Sequence, residues 1–158
     1  MKRMHKLILT LFITILASAQ TSSQLYPQLD LEKLTSLLKN GSVGKVKVLH
    51  LHDSTETRVA VSKEALHSLA SSNLDFTDHI PEKFGSVLSG VSVKKQGHTP
   101  DLRWGVFFYD AKGQALGSFF VDKFGQYGYV NDETVSFETG ATARNLAKRL
   151  HKITGIRD

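Results

Sequence analysis

The chain has 158 residues, with 20 Lys plus Arg against 15 Asp plus Glu, 41% hydrophobic residues, three prolines and no cysteine. Those figures exclude a disulfide-stapled mini-protein, a cysteine-ligated zinc or iron–sulfur site, collagen and a disordered charged tail. They fit one globular domain, or at most a small pair.

Residues 1–19 read as a cleaved secretory signal peptide. Lys2, Arg3 and Lys6 form a basic start, Leu7 to Leu16 carries no charge, and Ala17-Ser18-Ala19 matches the small-residue cleavage pattern. The apolar run is short for a membrane span, which takes about 20 residues. The expected product is exported, periplasmic or extracellular, with no stable span after cleavage. Without Lys2, Arg3 and Lys6, 17 Lys and Arg face 15 Asp and Glu, a balance of +2. The basicity is therefore largely a targeting feature. With no clustered Lys and Arg beyond Lys94-Lys95 and the C-terminal helix, nucleic acid is not expected as a partner.

Residues 20–28 are polar and read as a flexible leader, and residues 29–158 as a single domain. Asp30 is placed to cap a helix whose apolar stripe is Leu31, Leu34, Leu37 and Leu38, ending at Asn40-Gly41. Lys45 to His52 alternates like a strand. The β-branched stretch Thr57 to Val61 is expected to return beside it as a hairpin arm. Ser62 caps a short helix carrying Ala65, Leu66 and Leu69. Ser71 to Asp78 reads as a loop, Pro81 to Leu88 as a helical turn or two, and Val91 to Lys95 as a strand.

Two copies of F-F-x-D-x-x-G-Q follow, at Phe107–Gln114 and Phe119–Gln126. Asp bonds the backbone two residues on and Gly accepts positive φ, so each copy marks a tight hairpin turn. The result is a meander of strands near 103–109, 115–122, 126–130 and 134–138. A last helix, capped by Thr139 or Thr142, turns Ala143, Leu146, Ala147, Leu150 and Ile153 to the core. Neighbouring strands usually pair. The fold class is α+β: a largely antiparallel sheet, built from an N-terminal hairpin and a C-terminal four-strand meander, with helices packed on it.

Chemistry-bearing motifs are few. His50, His52 and Asp53 sit at a strand end, where alternate residues share a face, so both imidazoles are candidates for one metal ion. Glu64 and His67 have an i, i+3 spacing found in carboxylate-bridged metal proteins, but no second copy exists. Gly85-Ser86 lacks the spacing of a nucleophile elbow, and no H-E-x-x-H, P-loop or dinucleotide pattern occurs. Asp110 and Asp122 belong to turns. No catalytic residue is assigned, no cofactor is expected, and the balance leans away from an enzyme.

Nine aromatic residues fall between Trp104 and Tyr129. Most are expected in the core, but the meander holds more than one buried face takes. Phe124, Tyr127, Tyr129 and Trp104 are therefore the candidate binding residues, since rigid rings give large contact area at low entropy cost. The leading expectation is an exported, non-catalytic binding module that recognises a protein or envelope component. The alternative is a small exported metal-binding protein or hydrolase centred on His50, His52 and Asp53. Oligomeric state is not fixed by the sequence.

Overall fold

The computed structural model describes residues 27–28, 30–140 and 145–156. The expected signal peptide, most of the leader, Thr142 and Ala143 lie outside the described residues. Helix α1 takes in residues 27–28 and 30–39. Then come β1 (Lys45–His50), α2 (Lys63–Leu69), β2 (Ser72–Phe76), α3 (Ile80–Leu88) and β3 (Val91–Lys95). The meander β4 (Leu102–Tyr109), β5 (Ala115–Asp122), β6 (Tyr127–Val130) and β7 (Glu133–Thr139) precedes α4 (Leu146–Thr154). All strands form one antiparallel sheet in the order β2-β1-β4-β5-β6-β7-β3. The fold is α+β, with helices on a sheet.

The meander forms because its turns are chemically specified. One Asp110 carboxylate oxygen accepts from the backbone N–H of Lys112 and Gln114, each at 2.8 Å. Asp122 accepts from Gln126 N–H in the same way, and Gly113 and Gly125 take φ of 82° and 69°. These are the φ > 0 positions that favour glycine. Ser62 caps α2 by accepting from Ala65 N–H, and Asn145 caps α4 by accepting from Lys148 N–H. The final helix thus starts later than Thr139.

The N-terminal pairing differs from expectation. Thr57 to Val61 is not a strand; β1 pairs instead with Ser72–Phe76, a stretch that reads as loop. Val61 bonds elsewhere: its N–H donates to Asp101 and its carbonyl accepts from Leu102 N–H. With those groups engaged by the start of β4, Val61 has no ladder to offer β1. Ser72–Phe76 has weak β propensity, yet an edge place needs only one partner.

The sheet has two unlike faces. On one, α1, α3 and α4 bury Val46, Val48, Trp104, Val106, Phe108, Phe119 and Val121 in the main core. On the other, α2 is the one helix among the described residues, and it packs a smaller core of Leu49, Leu51, Val61, Leu66, Leu102 and Phe120. A register shift between Leu102 and Trp104 marks a β-bulge at Arg103. It lets Leu102 join the smaller core while Trp104 joins the main one.

Gly128, opposite Val121, lies under its neighbours. A Cβ there would run into the Phe120 carbonyl and come within 2.9 Å of the Phe137 ring. Gly128→Ala is expected to cost at least about 1–3 kcal/mol through overpacking. Urea unfolding checks it, and an unchanged midpoint would contradict it.

Candidate functional site

The face that α2 only partly covers carries a groove of about 610 Å³. Its walls include Lys63 and His67 from α2, Phe107 and Tyr109 from β4, Ser118 and Phe120 from β5, and Asp132 from the β6–β7 turn. Alternation along β6 sends Gly128 and Val130 inward and leaves Tyr127 and Tyr129 on this open side. Tyr129 meets Phe120 edge-on at 6.5 Å, and Phe120 meets Phe107 edge-on at 5.2 Å. Lys63 Nζ sits 5.2 Å from the Tyr129 ring and 5.9 Å from Phe120, while pairing with Asp132 at 2.6 Å. His67 lies over Phe107 at 5.0 Å. These rings are therefore continuous and fixed by packing, with Tyr129 and Phe107 part-exposed on either side of the buried Phe120.

Charge at the rim is set by the start of α2. The Glu64 carboxyl is held below its ordinary range, first by its own backbone N–H and then by the Ser62 hydroxyl. An ionised Glu64 and the Lys63–Asp132 pair give the groove an apolar floor with charges of both signs at its edge.

The four candidate binding residues separate. Tyr127 and Tyr129 share the open face. Phe124 is 57% exposed but sits on the β5–β6 turn, under Lys123 and beside a different depression lined by Asp53, Lys148 and His151. Trp104 is fully buried and leaves the candidate surface. The bulge turns its indole into the main core, where His50 stacks on it at 4.0 Å and His151 meets it edge-on at 4.7 Å. Its indole N–H has no hydrogen-bond partner among the described residues. An unmet buried donor of this kind costs about 1–3 kcal/mol, which ring packing must offset.

The geometry of the described residues does not gather His50, His52 and Asp53 as three ligands around one point. Strand β1 ends at His50, so the alternation that would align His52 is lost. His50 is buried against Trp104, with its Nε2 3.9 Å from the Asp53 carboxylate. His52 turns its Nδ1 to the Ser54 hydroxyl at 2.8 Å. Among the described residues, no three His, Asp or Glu side chains are placed to hold a metal ion. His151 completes the ring cluster with His50, at 5.5 Å, and sequence reasoning missed it. Its only signal was a histidine on the core side of the last helix, 101 residues from His50.

Compared with known proteins, the chain matches no family model, no curated protein and no solved structure. Among the described residues, no helix is long and apolar enough to cross a membrane.

Zinc titrated calorimetrically into the wild-type protein and into a His52→Ala variant is expected to give the same trace. A heat that disappears with His52 would contradict the geometry.

Proposed function

We propose that this protein is an exported, non-catalytic binding module that holds a segment of a partner protein against the open face of its sheet. The observation that carries the reading is the groove under α2, lined by Phe107 and Tyr109, with Tyr129 joined to it through Lys63 and Phe120 and Tyr127 farther along the same sheet face. Rings already fixed by packing lose little entropy on contact, and tyrosine is enriched among residues that dominate protein interfaces. Charges of both signs at the rim favour a polypeptide, which supplies complementary side chains and amides. Export rests on the basic, apolar and small-residue pattern of residues 1–19.

The test is capture from host envelope extract on immobilised protein, wild type against a Tyr127→Ala/Tyr129→Ala variant. Thermal melting establishes that the variant folds. Retention of the partner is expected to fall at least about tenfold. Undiminished capture by the folded variant would remove the proposed face.

A further inference from the structure

Residues 56–60 form a surface loop whose two ends are fastened to one ion pair, between the buried Arg103 and the part-exposed Asp101. The chain bends at Arg58 and Val59, and Arg58, Val59 and Ala60 are all exposed. Val59 is 77% exposed, above every other large hydrophobic that lies open. One exposed valine is ordinary; the support beneath it is not. Arg103 is 4% exposed. It donates from Nη1 to Asp101 at 2.7 Å and from Nη2 to the Thr55 carbonyl at 3.2 Å, before the loop. The same Asp101 oxygen accepts from Val61 N–H at 2.9 Å, after the loop, and Leu102 N–H donates to the Val61 carbonyl at 3.2 Å. Val61 itself is 2% exposed and locked in the smaller core.

Taking a guanidinium out of water is costly unless its bonds are well made. Here Nη1 and Nη2 donate to the carboxylate that holds one loop end, to the Leu102 carbonyl and to the Thr55 carbonyl at the other loop end, while Nε is buried with no hydrogen-bond partner among the described residues. A loop that merely connects two elements does not need this. A loop that must keep its shape while another molecule presses on it does, because pre-organisation lowers the ordering cost of binding.

We propose that this loop is a second interaction site, independent of the open sheet face, which presents Arg58 and Val59 to the cleft of an arginine-specific serine protease as an inhibitor. The chemistry follows from the apex. Arg58 forms no ion pair among the described residues. Its planar fork matches a carboxylate at the base of a pocket. Val59 next to it calls for an apolar shelf. A cleft that reads an arginine through an acidic pocket and takes the next residue along an open chain is that of a trypsin-like enzyme. Braced at Thr55 and Val61, the loop resists the rearrangement that cutting requires.

Trypsin is the probe, with residual activity on a small chromogenic substrate as the readout. The wild-type protein is expected to inhibit it and to stay largely uncut between Arg58 and Val59 by mass spectrometry. Arg58→Ala is expected to weaken inhibition about a hundredfold. Arg58→Phe is expected to move inhibition to chymotrypsin, whose corresponding pocket is a hydrophobic slot. Both substitutions are on the surface, and melting curves establish that they fold. Asp101→Asn, which loosens the brace while keeping the apex, is expected to raise the rate of cutting at Arg58. Absence of trypsin inhibition by the folded wild-type protein, whether the loop is cut or intact, would overturn the proposal. Equal inhibition by the folded Arg58→Ala variant would overturn it too.

Discussion

The buried guanidinium of Arg103 ties the N-terminal half of this chain to its meander. It sits on a bulge in β4 and reaches Asp101, the Leu102 carbonyl and the Thr55 carbonyl. Without the bulge, strand alternation would set Leu102 and Trp104 on the same face. With it, Leu102 serves the smaller core under α2 and Trp104 serves the main core. One inserted residue therefore lets β4 feed both hydrophobic layers, and its charge fastens the loop that leads into α2.

The two layers are unequal, and that inequality shapes the functional reading. Three helices seal one face, while α2, from Lys63 to Leu69, covers only part of the other. What it leaves open is not a bare polar surface but a run of rings held by one another and by Lys63. One sheet edge is guarded as well. On β3, Lys94 and Lys95 pair with Glu138 and Glu133, and the Gln28 side chain accepts from Val93 N–H at 2.7 Å. Charge and a capped amide discourage strand addition there. Contact is thereby directed away from that edge.

Much of the fold was legible because its signals are local. The turn aspartates and glycines of 110–113 and 122–125 fix the meander, and the spacing of Leu146, Ala147 and Leu150 fixes the face of α4. What was not legible depends on distant partners. Ser72–Phe76 is a strand because β1 lies beside it, not because of its own residues. Thr57 to Val61 has the β-branched residues of a strand, but Asp101 and Leu102 take the backbone groups of Val61. The candidate site divided along the same line. Tyr127 and Tyr129 share a face by simple alternation, whereas the burial of Trp104 followed from a bulge and from His50 and His151. Likewise, His50 and His52 separate because β1 stops between them.

On the proposed function, the partner covers the face opposite the three helices. Amide hydrogen exchange on the captured complex tests it most directly, read against the free protein. Slower exchange is expected in α2 and β6 on binding, with α1 and α3 unchanged. Slowing confined to α1 and α3, with α2 and β6 unaffected, would contradict it.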